Sequence, residues 1–178
     1  MSDSGTGLLE NLRLVYDSYG GLRSFIKSGY TWAAVFTSAL AWPTLMDGTW
    51  VQFALPILPT LAGFSIAAYA VYFSVLSEKD RDALRIPAPS LNNRSPLLIL
   101  ASAVSHSVFV QILAILLAII FTAKPFPTPV GYSELAKSVN LVISCVGLFL
   151  TTYGIILVTA SVFSIFRILH IKASIPPK

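Results

Sequence analysis

Four long stretches of this sequence contain no aspartate, glutamate, lysine or arginine, and they constrain the fold more than any other feature. The stretches are Ser28 to Met46, Gly48 to Ser77, Ser95 to Ala123 and Ser138 to Phe166. Crossing the hydrocarbon core of a bilayer takes about 20 helical residues, so each stretch is long enough to span, the first only just. Lipid leaves backbone polar groups without partners, which restricts spanning structures to helices and closed barrels, and four strands cannot close a barrel. We therefore expect transmembrane helices over residues 29–46, 50–77, 97–123 and 139–167.

The composition agrees with lipid as the surrounding solvent. Charged residues make up 11% of the chain and hydrophobic residues 55%, whereas a soluble domain is usually about 25% charged. So few charges cannot provide a hydrated surface, which excludes a free soluble enzyme, a disordered protein and a nucleic-acid-binding domain. The predicted fold class is an all-α integral membrane protein, with residues 1–178 forming one four-span domain.

Lysine and arginine lie almost entirely between the apolar stretches, so the net charge of +4 reports orientation. With four spans and both termini inside, ten of these twelve residues are cytoplasmic, as the positive-inside rule favours. The cytoplasmic parts are then residues 1–27 and the loop 78–95, while the proline-rich loop 124–137 lies outside. The aromatic residues at the membrane edges fit this orientation, with Tyr30 and Trp32 at the inner edge and Trp42 and Trp50 at the outer edge.

Two cytoplasmic segments carry finer predictions. Apolar residues recur at helical spacing near the N-terminus and predict a short amphipathic helix on the inner surface, interrupted at Gly20-Gly21; they are Leu8, Leu12, Val15, Tyr19 and Leu22. The charged run Ser77 to Asp82 is expected to continue the second helix into the cytoplasm until Ile86-Pro87 stops it.

The spans lack the groups that catalysis and metal binding need. None of the eight acidic residues lies inside a span, so no intramembrane carboxylate is available to relay protons or hold a cation. We expect no catalytic residue, no metal and no cofactor. The alternatives are a transporter subunit or a small membrane enzyme acting on lipid, for which Glu78, Asp80 and Asp82 are the only clustered acids. Our interpretation of those three is a solvated helix end.

The segment Gly63-Phe64-Ser65 is similar over three residues to the Gly-x-Ser of intramembrane serine proteases, with His106 as a conceivable base. That family continues with a second small residue, where Ile66 stands here, and its fold has at least six spans. A serine nucleophile needs a positioned base and oxyanion donors as a set. We therefore assign no protease chemistry to these residues.

Polar residues within the spans line up in depth when each span is measured from its midpoint. The residues at one level are Thr37, Ser38, Ser65, Gln111, Thr151 and Thr152. His106 is a candidate on a separate ground, as the only imidazole within a span, and the candidate layer that we assign is Ser65, His106, Gln111, Thr151 and Thr152. It has two interpretations, a hydrogen-bonded layer inside the bundle or a neutral lining exposed when several copies assemble. The prolines at 56 and 59 with Gly63 are expected to break the second helix beside this layer.

Small residues form stripes on three of the predicted helices. Such stripes allow close approach of helix backbones in membranes, and the residues that we assign to helix packing or an oligomer interface are Gly63, Ala67, Ala70, Ser144, Gly147 and Gly154. A single four-helix bundle fills its own core and has little room for a lumen. We therefore expect the fourth-helix face at Gly147, Thr151 and Gly154 to contact another subunit, with Gly63 and Ala67 as the alternative interface.

These patterns predict a non-enzymatic membrane protein that works as a homo-oligomer. It would act as a small pore or as the membrane-embedded sensor or effector subunit of a larger system, and a bacterial stress or phage-defence module would suit it. The expected partners are the lipid bilayer, further copies of the chain and a cytoplasmic protein, without nucleic acid. The expected location is a bacterial inner (plasma) membrane.

Overall fold

The computed structural model describes residues 21–91, 93–123 and 133–173, together with Gly7 and Glu10. The described part is all-helical, with a short 3-10 turn at Pro89–Leu91 between the fifth and sixth helices. The helices are α1 (Gly21–Lys27), α2 (Gly29–Leu40), α3 (Trp42–Met46), α4 (Val51–Val75), α5 (Glu78–Arg85), α6 (Pro96–Thr122) and α7 (Ser133–Ala173).

Three of these helices are long and apolar enough to cross a membrane. The qualifying segments are Val51–Ser74, Pro96–Thr122 and Glu134–Arg167. They correspond to the second, third and fourth predicted spans and support an integral membrane fold. The predicted amphipathic helix near the N-terminus and most of the outer loop 124–137 fall outside the described residues.

The first predicted span, 29–46, is not one continuous helix. It is divided at Ala41, whose φ of −87° and ψ of 14° end α2, and Pro43 stands in the first turn of α3. Proline has no backbone N–H and its ring collides with the carbonyl four residues earlier. The helix therefore restarts at Trp42 instead of continuing.

The junction between α4 and α5 also differs from the prediction. Leu76 is extended, with φ of −76° and ψ of 126°, so the charged run does not continue the second helix. Ser77 instead caps α5, because its side chain accepts from the backbone N–H of Asp80 while the Asp80 carboxylate receives the Ser77 N–H. This reciprocal capping box stabilises a new helix start. The stop at Ile86 is confirmed, since that residue is extended after Arg85.

Two further boundary predictions need correction. Pro56 and Pro59 lie inside α4 without interrupting it, so the expected break in the second helix is absent. The last helix extends well beyond residues 139–167 at both ends. At its start Lys137 pairs with Glu134 at 2.8 Å, and such pairs one turn apart support a helix that has left the hydrocarbon.

Contacts along the chain give the directions of the long helices. Trp50, directly before α4, meets Gly147 on α7, while Leu58, two turns later, meets Gly154. The α4 and α7 helices therefore run parallel. On α6 the order is reversed, because Phe121 packs on Trp50 whereas Gln111 packs on Gly154. The three long helices therefore alternate in direction along the chain.

The segment formed by α2 and α3 lies along α7 in the opposite direction. Ala34 belongs to the same apolar cluster as Leu157, while Leu45, eleven residues later, packs in a cluster with Leu148. Four packed segments thus alternate in direction. In lipid their association rests on close packing and interhelical hydrogen bonds, since hydrocarbon surroundings remove the hydrophobic drive between helices.

Candidate functional site: a hydrogen-bonded layer between the helices

His106 and Tyr153 join α6 to α7 through their side chains. His106 Nε2 lies 3.2 Å from the Tyr153 hydroxyl, and the two rings meet edge-to-face. Tyr153 is only 1% exposed, because Phe25 of α1 packs edge-on against it with ring centroids 5.4 Å apart and Phe149 stacks beside it. The imidazole is therefore oriented by a buried phenol that is itself enclosed by aromatic rings.

Gln111 makes the second link between α6 and α7. Its side chain is fully buried, and its Nε2 donates to the Gly154 backbone carbonyl at 3.0 Å. Gly154 permits this approach, because a Cβ there would stand 3.1 Å from Gln111 Cγ. Gln111 Oε1 is buried and has no hydrogen-bond partner among the described residues. An unpaired buried carbonyl carries a desolvation penalty, so this position would accept a donor.

Thr152 connects α7 to α2. Its hydroxyl lies 2.7 Å from Ser38 Oγ, and it also lies within 3.4 Å of the Ala34 carbonyl. Thr151, one residue earlier, is buried too but donates to the Gly147 carbonyl of its own helix. The structure thus joins His106, Gln111 and Thr152 to neighbouring helices through hydrogen bonds and leaves Thr151 bonded within α7.

Ser65 is buried on α4, and its hydroxyl donates to the Leu61 carbonyl of its own helix at 2.8 Å. His106, the base that a Gly-x-Ser reading would require, is directed to Tyr153 instead. The two side chains are therefore bonded to different partners and do not form a serine–histidine pair.

The small-residue face of α7 is filled from within the chain. Ser144 is buried and accepts a hydrogen bond from Trp50 Nε1 at 3.2 Å, and a Cβ on Gly147 would overlap the Trp50 indole ring. Gly154 is occupied by Gln111 and Leu58. The face at Gly147, Thr151 and Gly154, expected to contact another subunit, thus packs against α4 and α6 of the same chain.

Trp50 and Trp42, both expected at the outer membrane edge, differ in burial, since Trp50 is 0% exposed and Trp42 is 59% exposed. The burial of Trp50 inside the bundle was not predicted from the sequence. Ser144 and Gly147 were the sequence signal for this burial, because two small residues one turn apart on α7 leave space for a bulky side chain.

The small-residue face of α4 has the opposite environment. Gly63, Ala67 and Ala70 are all exposed, and a Cβ added at Gly63 would meet nothing within 4 Å. The alternative interface of the sequence prediction is therefore exposed within the described part of the chain.

Two of the three clustered acids at the start of α5 make local contacts. Asp80 closes the capping box with Ser77, and Asp82 forms an exposed ion pair with Arg85 at 3.2 Å. Among the described residues no three histidine, cysteine or acidic side chains are grouped as metal ligands.

The hydrogen bonds of this layer that cross between helices are neutral and join α2 and α6 to α7. The side chains of the layer are hydroxyls, an amide and an imidazole, which can bind a neutral donor or acceptor but place no carboxylate in the membrane. Comparison of this chain with protein-family models, curated proteins and solved structures finds no match.

Proposed function

We propose that the chain crosses a bacterial inner membrane four times, with both termini in the cytoplasm. The α2–α3 segment supplies the first crossing. It covers residues 29–46, about 27 Å at 1.5 Å per helical residue, close to the ~30 Å of a hydrocarbon core. Its direction opposite to α7 supports this assignment, as does the asymmetric distribution of lysine and arginine.

Cysteine labelling tests the topology. In a Cys145→Ser background, single cysteines at Thr49 and Ser133 should react in intact cells with a membrane-impermeant maleimide, whereas one at Ser90 should react only after lysis. Labelling of the Ser90 variant in intact cells contradicts the proposed orientation. Protection of the Thr49 variant contradicts the crossing by α2–α3.

We propose further that the protein is a non-enzymatic membrane subunit that assembles with other copies of itself. The observation that carries this proposal is the contrast between two small-residue faces, one filled and one open. Close backbone approach is what small residues contribute in membranes, and the face at Gly63, Ala67 and Ala70 is exposed within the part of the chain that the structure describes.

The assembly would act as a small pore or as the membrane-embedded part of a larger system with a cytoplasmic partner. A pore requires several copies, because Trp50, Gln111 and Tyr153 fill the centre of one chain with almost fully buried side chains. Any conducting path would therefore run between subunits, along outward faces.

A substitution on the open face tests assembly. Gly63→Leu should reduce crosslinked oligomers in native membranes while leaving the folded monomer intact, since a Cβ at Gly63 meets no described residue within 4 Å and leucine favours insertion. Gly29→Leu is the matched control, because a Cβ there also meets nothing within 4 Å and it lies outside the stripe.

A strictly monomeric wild-type protein in native membranes contradicts the assembly. If Gly63→Leu and Gly29→Leu leave the same oligomers as wild type, the interface does not lie at Gly63. Conductance of wild-type protein in planar bilayers, reduced by Gly63→Leu, would favour the pore. Co-purification of a stoichiometric cytoplasmic protein without conductance would favour the subunit of a larger system.

A further inference from the structure

The first part of α7 projects beyond the ends of the other packed segments. Trp50, at the start of α4, fills the space at Gly147, and Phe121, near the end of α6, packs on Trp50. A Cβ at Gly48, in the turn before α4, would stand 3.0 Å from the Phe121 ring. Asp47 adjoins Gly48 in that turn, and a carboxylate is costly in hydrocarbon. The level of Gly147 therefore marks one edge of the membrane.

The rest of α7 is long enough to cross the membrane from this edge. From Gly147 to Arg167 the helix rises about 30 Å at 1.5 Å per residue, which is a full hydrocarbon core. Residues 133–146 of the same helix add about 21 Å and are not needed for the crossing. They stand among the lipid headgroups and in the water beyond them.

Four apolar side chains form an exposed row along this projecting part. They are Leu135, Val139, Val142 and Val146. Leu135 and Val142 are 63% and 61% exposed, and the row follows a spacing of four, three and four residues. This is the spacing of the a and d positions of a heptad, which lie on the side of a helix that faces a second helix. The row lies opposite Ser144, the residue that accepts the hydrogen bond of Trp50, so it faces away from its own bundle.

The row ends where the chain covers its own helix. The next two positions of the same repeat are Phe149 and Tyr153, and Phe25 of α1 packs edge-on against both rings. The repeat is thus covered from within the chain on the membrane side of Gly147 and exposed beyond it. Apolar side chains at heptad spacing in water gain free energy when another helix buries them.

A second copy of α7 is the partner that this row fits. Copies inserted in one membrane by the same charge distribution share one orientation, so their α7 helices meet in parallel and each residue faces its own counterpart. Val139 and Val146 occupy the a positions and Leu135 a d position, a choice that favours two parallel strands. The positions that flank the row carry no charge that would repel an identical helix; they are Ala136, Ser138, Ile143 and Cys145.

We infer that residues 133–146 of α7 pair in parallel with the same segment of a second copy along Leu135, Val139, Val142 and Val146. The inference rests on the proposed crossing and self-assembly, and it places a contact on a different helix from Gly63. Burial of apolar surface from water drives this contact, whereas a contact at Gly63 depends on packing in lipid. The two contacts together would extend the assembly beyond a dimer.

Disulfide crosslinking of the full-length chain in native membranes tests the pairing. In a Cys145→Ser background, Val142→Cys should give a disulfide-linked dimer under mild oxidation, because d positions of parallel helices face each other. Leu141→Cys is the matched control, since Leu141 is exposed next to Val142 but lies outside the row, and it should give little dimer. Equal dimer yields from the two variants overturn the pairing, as does the absence of dimer from Val142→Cys.

A charged substitution tests the apolar row with the native cysteine as reporter. Cys145 is exposed beside the row, and a flexible bismaleimide should link the Cys145 side chains of two wild-type copies. Val142→Lys should abolish this dimer and Leu141→Lys should retain it. Thermal unfolding in detergent checks that both lysine variants are folded. A dimer that persists in folded Val142→Lys overturns the pairing, and if that variant does not fold, the two cysteine variants decide.

The Gly63→Leu variant separates this contact from the proposed interface on α4. It should lose the larger oligomers and keep the dimer linked through Cys145. Loss of that dimer in folded Gly63→Leu overturns independent pairing through α7 and leaves the interface at Gly63. Oligomers that respond to Val142→Lys and not to Gly63→Leu support the pairing through α7 and contradict the interface at Gly63.

Discussion

The α7 and α4 helices carry nearly the same pattern of small residues, yet the structure uses the two patterns in opposite ways. On α7 the face containing Ser144, Gly147 and Gly154 is buried, whereas on α4 the face containing Gly63 and Ala67 is exposed. The difference lies in the partners. A tryptophan and a glutamine from other segments enter the α7 face, and no described residue enters the space at Gly63.

The comparison shows that a stripe of small residues permits close approach but does not determine which group packs against it. At Gly147 the approaching group is a large side chain, the Trp50 indole. A helix backbone from another copy would suit Gly63 equally well, because packing in membranes depends on shape and not on expulsion of water. Variants at Trp50, Gly147 and His106 test the packed face of α7 and the hydrogen bonds that this helix makes.

The largest effect is expected at Trp50. Trp50→Ala removes a fully buried ring and its hydrogen bond to Ser144, and we expect a loss of about 3–5 kcal/mol in the free energy of unfolding. Trp42→Ala is the matched control, because that side chain faces outward and its loss creates no internal cavity. Unfolding in mixed detergent micelles measures both. Equal losses for the two variants would contradict the filled face.

The next effect is expected at Gly147. Gly147→Leu forces a side chain into the Trp50 indole, and overpacking of this kind costs about 1–3 kcal/mol. The Gly63→Leu variant should unfold like wild type while losing oligomers, so the two leucines separate packing within the chain from packing between chains. A Gly147→Leu protein as stable as wild type would show that Trp50 does not occupy this face.

The smallest effect is expected at His106. His106→Gln should keep assembly and stability, because glutamine can replace one hydrogen bond to the Tyr153 hydroxyl. His106→Leu should lower the free energy of unfolding by about 0.6–2 kcal/mol, as measured for membrane hydrogen bonds. Chemical unfolding of both variants, with crosslinking in membranes, checks this. A well-folded glutamine variant without activity would instead assign His106 a role in proton handling.

The sequence predicted the long helices because charge-free length alone specifies them. It could not predict the division at Ala41 from apolarity, since Pro43 acts through the backbone. It also could not separate α4 from α5, because the capping box at Ser77 competes with helix continuation by local hydrogen bonds. In both cases the helix ends because of local backbone geometry, which neither apolarity nor helical periodicity reports.

The candidate site was predicted in part. Gln111 and Thr152 were identified from depth and His106 as the only imidazole within a span, and each bonds a neighbouring helix. Ser38, the partner of Thr152, was placed at the same depth, whereas Tyr153 and the Gly154 carbonyl become partners only once α6 and α7 are aligned. Burial of Trp50 required the same alignment, since an aromatic residue beside a turn is equally typical of the membrane edge.

The length of α7 has a mechanical consequence. Its 41 residues extend over about 61 Å, twice the thickness of a ~30 Å hydrocarbon core. Tilts of transmembrane helices reach about 40°, which is too little to contain such a rod within the membrane. Its ends must therefore lie outside the hydrocarbon core, and the helix is uninterrupted between them. A rotation or displacement of one end would move the other end as a rigid body. It would also shift the hydrogen bonds and ring contacts that α7 makes with the other helices.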